Sequence, residues 1–358
     1  MRIPNTFFPL LVIILVFSLY PPYCNAQPSP DEKHLVFLTW SDYIDPNLVK
    51  EFETAYQCRI KQIYYETDEQ KDEFLLATNG KGFDVVLSSG ISIYHYLKRK
   101  WVLPLNNESI PNRKHIDPRW FEARPQISGY TVPYLWGTVG IAYRKDLVKG
   151  SVDSWRDLFL PAEDLRKKII MIKDSRALFF AALKALGYSG NRNDLKANIR
   201  AYQLLLSQQP FVKAYSYIKL SPECCIVTGQ CEMGMVFNGD ALILNEYEPN
   251  IHFTVPKEGA NLWIDYLIVM RASEHRELAK HFINFLHKPR NAARLSLFLK
   301  YATPNKTAEA FLPPGHLNNP FIYPDKTTLK NCEILKELPP HILRYRNNEI
   351  SHIIHQGK

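Results

Sequence analysis

LVFLTWSDY, residues Leu35 to Tyr43, is the stretch on which the fold of this 358-residue chain turns. Leu35, Val36, Phe37 and Leu38 form an unbroken apolar run, the mark of a parallel strand buried on both faces. The run ends in Thr39-Trp40-Ser41-Asp42-Tyr43, and Asp45-Pro46 then reads as the cap and first residue of a helix. Two large aromatics and a carboxylate therefore stand at the carboxyl end of a core strand, where ligands bind in open α/β sheets. An aromatic wall beside an acid suits a cationic, partly apolar ligand. The same residues would also serve as plain packing under a loop.

Working outward, the pattern repeats. Pro46 to Tyr56 predicts a helix with Leu48, Val49 and Phe52 inward, and Arg59 to Tyr65 a strand. Asp68 to Asn79 predicts a second helix, with Phe74, Leu75 and Thr78 on one face and Gly80 as its stop. Phe83 to Leu87 is a buried strand tipped by Ser88-Ser89-Gly90, and Ile91 to Lys98 the next helix. This rhythm predicts a parallel sheet covered by helices on both faces. Ser88-Ser89-Gly90 fits three roles: backbone donors to an anion, hydroxyl oxygens for an ammonium, or a strand-to-helix turn alone.

Tyr130 to Tyr143, YTVPYLWGTVGIAY, is rich in β-formers and reads as a chain crossing between two lobes. Beyond it, Ser154 opens a short helix, and Ile169 to Ile172 is a strand with Lys173-Asp174-Ser175-Arg176 at its carboxyl end. Asp174 thus holds in the second lobe the place that Asp42 holds in the first. It suits a helix cap and a ligand contact equally. Arg176 to Leu186 predicts a helix closed by Gly187, Leu195 to Gln208 another, and Gly234 to Gly239 a strand and turn before a helix around Ala241 to Tyr247. Trp263-Ile264-Asp265 leads a strand, Tyr266 to Met270, back to the first lobe. Glu274 to Leu286 is an amphipathic helix capped by Ser273, Tyr301 to Asn305 ends a further helix, and the remainder holds one or two more.

The first 26 residues carry the pattern of a cleavable leader. Arg2 gives a positive start, Phe7 to Tyr20 an apolar core, and Cys24-Asn25-Ala26 a small-residue cleavage site, which predicts export. An uncleaved anchor is the alternative reading of the same run. The mature chain, 358 minus 26 or 332 residues, is long for one core and natural for two lobes. Loss of Arg2 takes the net charge from +8 to +7. No run of five basic residues appears, so no nucleic-acid partner is expected, and a cation site must be built from local carboxylates. Of Cys58, Cys224, Cys225, Cys231 and Cys332, Cys231 is expected to pair with Cys224 or Cys225, leaving at least one thiol over. Neither a second CxxC nor a nearby His pair accompanies the cluster, so no metal site and no cofactor are expected there. GxSxG, HExxH, P-loop and GxGxxG signatures are absent, which argues against an enzyme. His352 and His355 stand at helical spacing but read as part of a solvated tail.

LTWSDYIDP, FDVVLSS, VPYLWGTVGIAY, LGYSGN, GMVFNG, VPKEGANLWIDYL and YATPN occur here in one order. In that order they resemble the periplasmic spermidine/putrescine-binding proteins, the solute receptors of polyamine ABC transporters. The resemblance spans the mature chain. It implies a two-lobe periplasmic binding protein fold of type II, each lobe a mostly parallel sheet covered by helices, with ligand in the cleft between them. Lobe one is expected over 27–141 plus 260–308, and lobe two over 142–259 plus 309–358. The resemblance also implies roles: Trp40 and Tyr43 as slot aromatics with Ser41 between them, Ser88 as a cleft hydroxyl, and Asp174 as the lobe-two acid for a terminal ammonium. Trp263 and Asp265 match the aromatic and acid that hold the diaminopropane part, and Tyr301 another cleft tyrosine. It implies a polyamine or other organic amine as ligand, an ABC permease as partner, and the periplasm as location. A sensor docking on a membrane signalling protein is the alternative.

Four positions depart from that pattern. Ala177 stands where a second acid is usual, Gly90 replaces a tyrosine, Phe237 a tryptophan, and Leu335 a glutamine. Loss of an acid that meets a buried ammonium costs on the order of 2–5 kcal/mol, unless Glu232 or Asp240 substitutes. Putrescine or another short diamine in place of spermidine, weaker binding, or a different amine altogether is therefore expected.

Overall fold

The computed structural model describes residues 33–356; the predicted leader lies outside them. Among the described residues nine strands carry the architecture: β1 Lys33–Trp40, β2 Cys58–Tyr65, β3 Val85–Ser89, β4 Val132–Arg144, β5 Ile169–Met171, β6 Val212–Tyr215, β7 Met233–Phe237, β8 Ile251–Thr254 and β9 Leu262–Val269. Their order is β2-β1-β3-β9-β4-β7-β5-β6, with β8 also on β4. In the first half β1 lies parallel between β2 and β3, and β9 runs antiparallel between β3 and β4. In the second half β5 lies parallel between β6 and β7, while β7 and β8 run antiparallel to β4.

The 13-residue β4 belongs to both halves. Val132 to Thr138 pairs with β9, and Val139 to Arg144 pairs with β7 and β8. The cores divide at the same place. Leu35, Phe37, Phe52, Trp136 and Phe282 fill one; Val139, Ile141, Trp155, Phe179 and Met235 fill the other. A sheet whose strands switch from one packed core to another along a single strand makes two lobes, and Phe237 and Trp263 touch both cores at the seam. A further apolar layer around Ile170, Val236 and Phe253 covers the other face of the second sheet.

Local chemistry accounts for the elements. The helix Pro46–Tyr56 begins where Asp45 accepts from the Asn47 amide at 2.8 Å, and it buries Leu48, Val49 and Phe52 as the spacing predicts. Ser154 and Asp157 form a capping box on Trp155–Phe159. The helix Asp68–Ala77 differs from expectation. Its inward residues are Lys71 and Leu75; Phe74 is only partly buried and Thr78 exposed. The fully buried Lys71 is paired with Asp68. The helix expected from Glu274 starts at Arg276, with Ser273 Oγ accepting from the His275 amide just ahead of it.

The tail holds three helices, Pro314–Leu317, Lys326–Asn331 and Pro340–Gln356, where one or two were expected. The last packs through Ile342, Ile350 and Ile353, the latter two in the second core, while His352 is exposed as expected. Cys225 and Cys231 form a disulfide, while Cys224 and Cys332 keep free thiols. Among the described residues there is no metal-competent cluster of His, Cys, Asp or Glu, and no helix long and apolar enough to cross a membrane.

Candidate functional site

Strand ends from both halves converge at the seam. β1 ends at Trp40 and β3 at Ser89, Asp174 follows β5, and Phe237 ends β7. The antiparallel β9 brings Trp263 and Asp265 to the same level from its opposite end, with Asp265 in register with Ser89. Between them lies a narrow cavity of about 70 Å³, walled by Asp68, Ser89, Asp174, Trp263 and Asp265 among others.

Asp265 is the centre of an aromatic enclosure. Its Oδ2 accepts a hydrogen bond from the Tyr43 hydroxyl at 3.0 Å, and Tyr43 is itself held by Tyr134, whose hydroxyl donates to the Tyr43 carbonyl at 2.9 Å. The Tyr43 and Tyr301 rings lie 6.0 Å apart, Trp263 meets Tyr301 edge-on at 4.8 Å, and Phe237 meets Trp263 edge-on at 6.1 Å. Tyr301 is buried and its hydroxyl donates to Asp240 Oδ1 at 2.7 Å. Gly239 makes room for it, since a Cβ there would fall 2.5 Å from Tyr301 Cζ. Of the two acids weighed as substitutes, Asp240 therefore belongs to this enclosure. Glu232 precedes β7 at its far end and is paired with Lys168 at 2.7 Å.

Burial raises the Asp265 carboxyl to about 7, reinforced by the nearby charge of Asp68 and offset in part by the Tyr43 bond and Lys71. Burial likewise raises Asp240 to about 6 against the pull of the Tyr301 hydroxyl. Both acids have lost the solvation that keeps a carboxylate ionised. A cation placed beside them would restore what burial removed.

Asp174 is the helix cap that the sequence allowed and stands in the cavity wall. It caps the helix Ser175–Ala185, accepting from the amides of Arg176 at 2.7 Å and Ala177 at 3.1 Å, and it also lines the cavity. Both bonds fall on Oδ1. Burial raises its pKa, countered by those amides and by Arg176.

The other expected residues are distributed less evenly. Trp40 packs at a tilt against Tyr65, ring centroids 4.4 Å apart, with Tyr217 of the second half 6.5 Å away. Ser41 is exposed and donates to Asp42 at 3.1 Å. Ser88 is fully buried and donates to the Ser89 carbonyl; Ser89 is the serine in the cavity wall. Successive residues of a strand face opposite sides, so one step separates the two serines completely. Sequence reasoning did not single out Asp68, which accepts from Lys71 Nζ and from Ser89 Oγ at 3.0 Å. Burial would raise Asp68, yet the Lys71 charge and these bonds hold it below the ordinary carboxylate range. Its signal was available: an acid and a lysine three apart at a helix start beside a strand tip. Arg124, Arg176 and Asn261 in the cavity wall were also missed as site residues.

Residues 47–320 match the family model of the bacterial extracellular solute-binding proteins. The chain belongs to this family. It is 31% identical to the spermidine/putrescine-binding periplasmic protein of Escherichia coli K12, over 86% of this chain and 88% of that one. It is 28% identical to a norspermidine sensor of Vibrio cholerae, over 88% of each chain. A crystal structure of the spermidine/putrescine ABC transporter substrate-binding protein of Streptococcus pneumoniae superposes with a TM-score of 0.79 at 25% identity, covering 91% of this chain and all of that one. As in an extracellular solute-binding protein of type II, the cavity lies between two sheet-centred lobes.

The four departures can now be placed in the solute-binding fold. Ala177 is buried in the helix that Asp174 caps. Phe237 keeps an aromatic ring against Trp263. Gly90 and Leu335 both line the cavity and both touch Arg124.

Proposed function

We propose that the protein is an exported receptor that captures a polyamine or related organic amine in the interlobe cavity and delivers it to an ABC permease. The observation that carries this reading is the Asp265 carboxylate, held by Tyr43 and enclosed by Trp263 and Tyr301, in one cavity with Asp174 of the other lobe. Aromatic faces cover methylene groups and attract the adjacent positive charge. Two carboxylates at a set separation measure the distance between charged groups. Trp40, Ser41, Tyr43, Ser88, Asp174, Trp263, Asp265 and Tyr301 are the proposed ligand-binding set, with Tyr43, Trp263, Asp265 and Tyr301 as its core.

The proposed lobes are 27–141 plus 260–308 and 142–259 plus 309–358, with the segment at Ile322 packing back into the first core. Closure of the lobes over ligand is the step a permease would read. Periplasmic location after cleavage near Ala26 belongs to the same proposal. A sensor that docks on a membrane signalling protein is the second reading, favoured by likeness to the norspermidine sensor.

Calorimetric titration of ligand-stripped protein lacking residues 1–26 tests the main reading, with putrescine, cadaverine, spermidine and agmatine. Saturable binding of at least one amine, lost in both Asp174→Asn and Asp265→Asn, sustains it. A folded protein that gives no heat with any of them sinks it.

A further inference from the structure

The cavity that holds Asp265 also holds a guanidinium with no acid to answer it. A Cβ on residue 90 would overlap Arg124 Cδ and Nε, so the glycine is what lets this side chain lie along the wall. On its other side Arg124 Nη2 donates to the Leu335 carbonyl, a neutral acceptor. Among the described residues Arg124 pairs with no carboxylate, although it shares the cavity wall with Asp68, Asp174 and Asp265. A partly buried guanidinium offers a planar fork of donors matched to a carboxylate.

The charges of the wall are nearly balanced before any ligand enters. Asp68, Asp174 and Asp265 face Arg124 and Arg176, and the fully buried Lys71 is paired with Asp68. A dication gains little net attraction here, and one of its ammonium groups would have to lie near a guanidinium. A zwitterion meets both signs. Two further groups fit that shape. Asn261 is 5% exposed with its Oδ1 buried and unbonded, and Trp263 Nε1 is buried and unbonded as well. Both residues line the cavity. They add an acceptor for an ammonium and a donor for a carboxylate, and each is costly to leave unpaired.

We infer that the preferred ligand is an amine whose other terminus is a carboxylate, an ω-amino acid, and that Arg124 is the residue that sets this preference. The inference rests on the amine-receptor reading and narrows it: Asp265 and the aromatic enclosure take the ammonium, and Arg124 takes the carboxylate.

A matched pair of ligands tests it. Putrescine and 4-aminobutyrate share one carbon chain and differ in whether the second terminus is an ammonium or a carboxylate. Calorimetry on the protein lacking residues 1–26 is expected to show 4-aminobutyrate binding at least tenfold tighter than putrescine. Arg124→Gln should lower 4-aminobutyrate affinity at least tenfold and leave putrescine unchanged or stronger. Arg124→Lys, which keeps the charge and loses the fork, should fall between and guards against a Gln variant that fails to fold. Putrescine preferred by the wild type, with a ratio that neither Arg124 variant moves, overturns the inference while the amine-receptor reading stands. Silence toward every ammonium ligand in a folded wild type removes the receptor reading and this inference with it.

Discussion

Two walls of one cavity are built on different terms. On the Asp265 wall the acid already has an internal partner: Tyr43 donates to Asp265, and in the adjoining aromatic enclosure Tyr301 donates to Asp240. The rings that supply those hydroxyls also pack on one another, so the carboxylates are held in place before a ligand arrives. On the Arg124 wall the charged group rests on a carbonyl and a glycine's empty side, with two unbonded polar atoms in the neighbouring wall. The first wall is preorganised to receive one kind of group. The second is left incomplete, and what completes it decides the ligand. Affinity should therefore belong chiefly to the Asp265 wall and selectivity to the Arg124 wall.

The largest effect should come from the first wall. Asp265→Asn is expected to weaken amine binding by about two to three orders of magnitude, since the ammonium would lose its buried counter-ion. Calorimetry reads this directly, and a loss below about fivefold would break the division of labour. Trp263→Ala removes a ring that touches both cores and the Tyr301 edge. About a tenfold loss of affinity is expected for every ammonium ligand, and a larger one for 4-aminobutyrate, whose carboxylate also loses the Trp263 Nε1 donor.

pH separates the walls next. Asp265 and Asp240 are raised to about 7 and about 6, so the ligand-free fold binds more protons than the unfolded chain between about pH 4 and about 7. Stability without ligand should accordingly fall as pH rises through that window. Amine affinity should rise over it, by at most about tenfold per unit, and level off above neutrality as Asp265 ionises. Thermal unfolding and calorimetry from pH 5 to 8 check both slopes. Asp265→Asn should flatten the affinity slope, and a slope that survives would assign it elsewhere.

A smaller shift is expected from Gly90→Ala. The added methyl would push Arg124 off the wall without altering its charge. Preference should move toward diamines in the direction of Arg124→Gln, by several-fold less. Removal of the Cys225–Cys231 bridge, which closes a short loop, should lower stability by about 2 kcal/mol and leave ligand preference alone. A change in preference there would mean that the walls are coupled to the lobe-two periphery.

The sequence carried the frame of this site further than its details. Apolar runs located the longer strands, and the turn residues behind Trp40, Leu87 and Ile172 located their carboxyl ends, because burial on both faces leaves a strong local signal; the four-residue β6 and β8 were missed as too short to show one. Asp265, Trp263, Tyr43 and Tyr301 come from three distant stretches, and the structure gathers them around one carboxylate. Ser88 and Ser89 could not be told apart without the pleat, since a single residue reverses the facing. Asp240 could not be told from Glu232 until β7 showed that they lie beyond its opposite ends. Arg124 follows a four-residue helix in a region of short turns with no periodicity, so nothing local announces it. Its place depends on Gly90 and Leu335, 34 and 211 residues away along the chain, and only the fold brings the three together.

A crystal structure of the wild-type protein with its tightest-binding amine tests the central claim most directly. The ligand nitrogen should lie about 2.7–2.9 Å from an Asp265 oxygen, between Trp263 and the Tyr43 and Tyr301 rings, with its other terminus toward Arg124. A ligand seated elsewhere, with its nitrogen away from Asp265 and the Tyr43–Asp265 bond undisturbed, would contradict it.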